Sequence, residues 1–96
     1  MNKISVVIIT KNEERNIGRC IESVLFADEI IVYDSGSIDQ TVSIASNLGA
    51  KVSIGSWMGF GPTKRHAVSL ASYDWILSVD ADEEVSLDLK NELLKR

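Results

Sequence analysis

The sequence predicts an α/β fold, a Rossmann-like three-layer α/β/α domain built on a parallel sheet. Two observations predict it. Short β-branched runs alternate with segments whose apolar residues recur at helical spacing, in the order β-α-β-α-β-α-β-α. Such alternation implies right-handed crossovers and a sheet covered on both faces. The polar clusters "TKNE", "DSGS" and "DADEE" each follow a strand run directly, which is where open α/β sheets place their ligands.

The first run, "ISVVIIT" (Ile4 to Thr10), reads as a strand buried on both faces. The period then changes. Ile17, Cys20, Ile21, Val24 and Leu25 form one stripe of an amphipathic helix, preceded by Glu13, Glu14 and Asn16, where acids and caps are favoured. "EIIVY" (Glu29 to Tyr33) is a second strand. Ser37 and Gln40 have the spacing of a capping box ahead of a helix marked by Thr41, Ile44, Ala45 and Leu48, and Gly49 is its natural stop. "AKVSI" (Ala50 to Ile54) is a short third strand, and the glycine-rich stretch from Gly55 to Pro62 is a loop. A third helix is expected from Thr63 to Ala71, and a fourth strand in "DWILSV" (Asp74 to Val79). Ser86 can cap a last helix that uses Leu87, Leu89, Leu93 and Leu94. The expected strand order is 3-2-1-4. It would bring Asp34, Asp80 and Asp82 to one edge, with Thr10 and Asn12 between the second- and fourth-strand clusters.

Ninety-six residues, 45% hydrophobic and 25% charged, suit one small globular domain. The net charge of −4 argues against nucleic acid as a partner, since phosphate neutralisation needs clustered Lys and Arg. The single cysteine, Cys20, excludes an intramolecular disulfide and points to a reducing compartment. The apolar run after Met1 is too short for a signal peptide, and no stretch approaches a transmembrane segment. A soluble, cytoplasmic chain is expected.

Asp80 and Asp82 form a D-x-D after a buried-type strand. Two carboxylates so spaced can share a hard divalent cation, although an acidic turn capping the last helix is the plainer alternative. Asp34 can accept hydrogen bonds from a base or a ribose at its strand end, whereas Ser37 and Asp39 read as turn and capping residues. Lys64 and Arg65 can balance a diphosphate or simply face solvent. Trp57 and Phe60 can stack on a base or sugar, or pack their loop down. His66 has no partner at metal or triad spacing, and Cys20 belongs to the buried helix stripe.

Together, "VVIITKNEERNIGRCIESV", "EIIVYDSGSIDQT" and "DWILSVDADEE" resemble the T-x-N-E, D-S/D-G-S-x-D-x-T and D-A-D segments that open family-two glycosyltransferases. The middle stretch resembles bacterial lipopolysaccharide-core glucosyltransferases, whose loop reads W-x-G-F/Y-G-x-Q-K-N. Trp57, Gly59, Phe60, Gly61 and Lys64 fit that loop, while Thr63 and Arg65 depart from it. The resemblance implies a GT-A fold, a nucleotide-diphosphate sugar donor such as a UDP-sugar, a glycan or lipid-linked acceptor, and Mn²⁺ or Mg²⁺. By motif position, Thr10, Asn12, Glu13, Asp34, Ser35, Lys64, Asp80 and Ala81 would bind the donor. Asp82, with Asp80, would hold the metal. Family members run to more than twice this length, so residues 1–96 are expected to be the nucleotide-sugar-binding half of a truncated domain. The acceptor-binding half and its general base would be absent, leaving no catalytic residue here and little activity for the chain alone. The resemblance also implies a cytoplasmic enzyme, peripheral at the inner face of the plasma membrane.

Two other classes fit less well. Haloacid-dehalogenase-like phosphatases need D-x-D after the first strand, with Thr or Val where Glu84 stands. A receiver-like, non-catalytic α/β module wants an acidic pair where Lys11 and Asn12 stand. With the fourth strand at an edge, "WILSV" would offer an unguarded template for a second copy.

Overall fold

The computed structural model describes residues 3–95. Its elements are β1 (Ile4–Thr10), α1 (Ile17–Glu22), β2 (Glu29–Asp34), α2 (Thr41–Asn47), β3 (Lys51–Ile54), α3 (Phe60–Ser69), β4 (Trp75–Asp80) and α4 (Leu87–Leu94). The strands form one parallel sheet in the order β3-β2-β1-β4, as the sequence predicts.

β1 is central, and its alternate residues feed two separate cores. Ile4, Val6 and Ile8 pack with Val32, Val79, Ala45 and the Ile17–Cys20–Ile21–Val24 stripe, and Leu93 of α4 closes on the same side. Val7 on the opposite face packs with Ile31, Tyr33 and Ala67, under α3. The two faces of one strand thus carry the two helical layers, which explains why Val6 to Ile9 run apolar without polar alternation.

Element boundaries differ from the sequence reading where local chemistry overrides periodicity. α1 stops at Glu22, so Leu25 leaves the stripe and is 55% exposed. The helix has no acid in its first turn, because Glu13 and Glu14 belong to the preceding loop. The expected Ser37–Gln40 capping box does not form: Gln40 occupies the N-cap without a side-chain bond, and Asp39 accepts from the Thr41 N–H and hydroxyl instead. α3 starts at Phe60, three residues earlier than expected, because Pro62 is tolerated within a first turn that needs no donor from it. The Ser86 cap forms, accepting from Leu89 N–H at 3.1 Å. Leu87 and Leu89 nevertheless stay exposed, and Leu93 makes the core contact.

The amino ends of the strands are tied by one buried carboxylate. Glu29 accepts from the Ser5 hydroxyl at 2.8 Å, from Ser72 N–H at 2.8 Å, from the Ser72 hydroxyl at 2.7 Å and from Lys51 at 2.7 Å. Burial alone would raise its pKa. The bonds from Lys51, Ser72 and Ser5 overcome that and hold the carboxyl at about 2. Four segments are so joined at the pole opposite the polar clusters.

Candidate functional site

At the carboxyl ends of the strands, the loops after β1 and β2 are stitched together. Three successive backbone N–H groups of the first loop donate to side chains of the second: Asn12 to Ser37 Oγ (2.7 Å), Glu13 to Thr41 Oγ1 (2.9 Å) and Glu14 to Asp39 Oδ2 (3.2 Å). The return bond runs from Ile38 N–H to Asn12 Oδ1 at 2.8 Å. Asn12 is the one non-glycine residue with positive φ, 53°, among the described residues. Asn tolerates that conformation and supplies the acceptor that Ile38 needs.

Asp34 is 1% exposed and organises the second loop. Its Oδ2 accepts from Gly36 N–H (3.1 Å) and Ser37 N–H (2.8 Å), and its Oδ1 accepts from the Ser37 hydroxyl (2.5 Å). Gly36, at φ 107°, permits this turn. The turn presents Ser35, whose N–H donates to Thr10 O at 3.0 Å.

These loops frame a cleft of about 550 Å³. Its walls carry Thr10, Glu13 and Ser35 on one side and Asp80, Ala81 and Asp82 on the other. Ile9 and Lys11 contribute from β1 and its exit, and Trp57 and Phe60 from the region after β3. Eight of the residues singled out from sequence therefore meet in one place: Thr10, Glu13, Ser35, Trp57, Phe60, Asp80, Ala81 and Asp82. Asn12, Asp34 and Lys64 are not among the residues that form the wall. Asn12 and Asp34 are engaged in loop hydrogen bonds, and the Lys64 ammonium lies 5.6 Å from the centroid of the Phe60 ring. Lys11 belongs to the "TKNE" cluster at the first strand end, whereas Ile9 escapes a reading by residue type, since it has no distinctive site chemistry. Its place at the end of a central strand is the signal that finds it.

The charged residues of the cleft are Lys11, Glu13, Asp80 and Asp82, and Asp80 and Asp82 are both exposed. Among the described residues, neither carboxylate takes part in a hydrogen bond or ion pair. Glu83 is engaged, because its Oε1 accepts from Asp80 N–H at 2.8 Å. No group of three His, Cys, Asp or Glu residues suited to a metal exists among the described residues, so the chain offers two free carboxylates rather than a closed cage. Cys20 lies beneath, its Sγ 3.5 Å from Asp80 O. Burial pushes the thiol up to about 12, and Glu83, Asp82, Asp80 and Glu13 reinforce the shift. It is a core residue without thiolate chemistry at neutral pH.

Thr10 supplies the sharpest local anomaly. The residue is 3% exposed, and its Oγ1 is the one buried side-chain oxygen without a hydrogen-bond partner among the described residues. It belongs to the cleft wall. Buried hydroxyls are almost always bonded, and an orphan at a cleft marks a place where a partner is expected.

Comparison with known proteins identifies the family and the fold. Residues 5–96 match the family described as Glycosyl transferase family 2. An uncharacterized glycosyltransferase of Rickettsia felis is 53% identical over 94 residues, covering 97% of this chain and 33% of the relative. The lipopolysaccharide core biosynthesis glycosyltransferase LpsC of Rhizobium meliloti is 34% identical over 92 residues, 91% of this chain and 34% of the relative. Among solved structures, glucosyl-3-phosphoglycerate synthase from Mycobacterium tuberculosis, in complex with Mn²⁺, UDP and glucosyl-3-phosphoglycerate, superposes with a TM-score of 0.75 at 29% identity. That match covers 86% of this chain and 36% of the other. The chain spans about a third of the length of the curated relatives it matches.

Proposed function

Because this chain belongs to glycosyl transferase family 2, we propose that its carboxyl-edge cleft binds the nucleoside diphosphate of a sugar donor, a UDP-sugar, together with Mn²⁺ or Mg²⁺. The observation that carries this reading is the cleft itself: two unengaged carboxylates, Asp80 and Asp82, facing the orphan hydroxyl of Thr10 and the Ser35 loop. Asp82 is the main metal ligand in this proposal, and Asp80 is shared between metal and ribose.

The donor set suits such an ion. Mg²⁺ and Mn²⁺ take oxygen ligands, and Mg²⁺ in particular is usually held by one or two carboxylates, with substrate phosphates and water completing the shell. When bound, the metal supplies Lewis-acid stabilisation of the charge on the departing diphosphate. The chain's own residues bind and orient. Thr10 and Ser35 offer hydroxyls to the nucleoside. Asn12 and Asp34 position the two loops that carry them, and Glu13 closes the wall at the first loop. Lys64 stands behind Phe60 as a positive charge near the donor.

Residues 1–96 are proposed as the donor-binding half of a glycosyltransferase domain, the acceptor site and the general base for the acceptor hydroxyl belonging to the part of such a domain that these residues do not match. Hexosyl transfer to a glycan or lipopolysaccharide-type acceptor is supported by the likeness to LpsC. Among the described residues no helix is long and apolar enough to cross a membrane; we place the enzyme in the cytoplasm, peripheral to the inner face of the plasma membrane. Two copies of this chain are proposed to associate through the free side of β4, where Trp75 and Ile76 are exposed.

Titration calorimetry with UDP tests the central claim. Binding is expected with Mn²⁺ and much weaker without it. Absence of any UDP binding in the presence of Mn²⁺ would overturn the reading.

A further inference from the structure

Trp57 is 53% exposed and belongs to neither core cluster, yet its backbone is held on both sides by buried side chains. Before it, the Tyr33 hydroxyl donates to Ser56 O at 2.8 Å, and Tyr33 is 3% exposed. After it, Met58 N–H donates to Thr63 Oγ1 at 2.8 Å, and Thr63 is fully buried. Gly55 is required for this approach. A Cβ there would lie 2.2 Å from the Tyr33 hydroxyl. The loop is therefore not pinned by the indole ring. The backbone is fixed by core residues and the ring is left projecting into the cleft wall, beside Phe60, itself 63% exposed. A half-exposed aromatic on a backbone fixed at both neighbouring residues suits a binding site.

We propose that Trp57, with Phe60, forms a stacking wall for the nucleobase of the donor, an assignment that rests on the cleft being the donor site. Strand order decides which part of the ligand meets the wall. The aromatic residues follow β3, while the carboxylates follow β4, at the other end of the sheet. Parallel neighbours lie about 4.8 Å apart, so the two strand ends are separated by roughly 14 Å. A nucleoside diphosphate laid across that edge has its phosphates at Asp80 and Asp82, its ribose over Thr10 and Ser35, and its base against Trp57. The Lys64 ammonium, 5.6 Å from the Phe60 ring centroid, adds cation–π character to the wall.

The chain has two tryptophans, so Trp75→Phe leaves Trp57 as the sole indole reporter. In that background, UDP with Mn²⁺ is expected to quench Trp57 emission, and inorganic pyrophosphate with Mn²⁺ is expected to leave it unchanged. Trp57→Ala is expected to weaken UDP binding about 5- to 100-fold by calorimetry while leaving pyrophosphate affinity unchanged, with Trp57→Phe in between. Calorimetric UDP binding with unchanged Trp57 emission and unchanged affinity in Trp57→Ala would overturn the stacking assignment and leave the donor site standing. Quenching by UDP-glucose but not by UDP would overturn it in favour of a sugar-stacking wall. Absence of UDP binding by every variant and by the parent would overturn both.

Discussion

Thr10→Val should separate stability from binding in opposite directions. The substitution is close to isosteric, keeps a β-branched side chain on the central strand, and removes only the orphan hydroxyl. A buried hydroxyl without a partner costs about 1–3 kcal/mol, whereas replacing it by an apolar group of the same shape removes that penalty. The ligand-free variant should therefore be more stable by about 1 kcal/mol or more, and for a domain of this size each 1 kcal/mol corresponds to roughly 4–8 °C in Tm. In the complex the sign reverses. If the hydroxyl donates to a donor oxygen, that bond is worth about 1 kcal/mol, or about 1.5–3 kcal/mol to a charged phosphate. Loss of it raises the Kd for UDP about 5- to 100-fold. Thermal denaturation of the free protein and calorimetry with UDP and Mn²⁺ read the two effects separately. A Thr10→Val protein that is less stable than the parent, with unchanged affinity for UDP, would refute the reasoning. It would mean that the hydroxyl is satisfied within the free fold.

Asp82→Ala should abolish the Mn²⁺ dependence of UDP binding, and undiminished metal dependence by calorimetry would refute the ligand assignment. Gly55→Ala should cost about 1–3 kcal/mol in denaturant unfolding, because its Cβ falls on the Tyr33 hydroxyl. Glu29→Gln should lower stability at pH 7 by about 2 kcal/mol, through loss of charge-assisted bonds at the amino pole. The Glu29 pKa is depressed from 4.5 to about 2, so its contribution is full above pH 4.5 and is lost as pH falls through 2. An acid titration should accordingly show parent and Glu29→Gln converging across that window. Ile76→Lys, on the exposed part of β4, should suppress self-association measured by sedimentation, and an unchanged sedimentation profile would remove β4 as the contact.

The fold was legible because its largest signals are periodic. Val6 to Ile9 of β1 and Ile30 to Tyr33 of β2 are unbroken apolar runs, and the α1 stripe shows its 3.6-residue spacing through Val24. What escaped was set by contacts between segments distant in sequence. Leu25 fits the stripe but lies beyond the point where the chain turns back towards Glu29. Ser37 and Gln40 have capping spacing, yet Ser37 is held by Asp34 and by the Asn12 N–H, 25 residues away. The site was legible to the same degree. Thr10, Glu13, Ser35, Asp80, Ala81 and Asp82 share one cleft because the carboxyl ends of parallel strands all lie on one edge of the sheet, and β1 stands between β2 and β4. The division between wall residues and loop-holding residues is invisible in a motif. Asp34 and Ser35 are adjacent, and only the backbone turn decides that one is buried and the other faces the cleft.

That division gives the "DSGSIDQT" segment a physical explanation. Asp34, Ser37, Asp39 and Thr41 all use their side-chain oxygens on backbone N–H groups of the two loops. Loops that lie across strand ends have donors with no ladder to join, and each buried one left unpaired costs free energy comparable to a lost hydrogen bond. Short oxygen-bearing side chains at positions 34, 37, 39 and 41 meet that need. With the loops satisfied internally, the one buried side-chain oxygen left unbonded among the described residues, the Thr10 hydroxyl, lies at the cleft that the exposed carboxylates of Asp80 and Asp82 also line. A small domain that satisfies its amino pole through Glu29 and its loops through this clasp, yet leaves a buried hydroxyl unbonded beside two open carboxylates, fits the proposal of a donor bound at that edge.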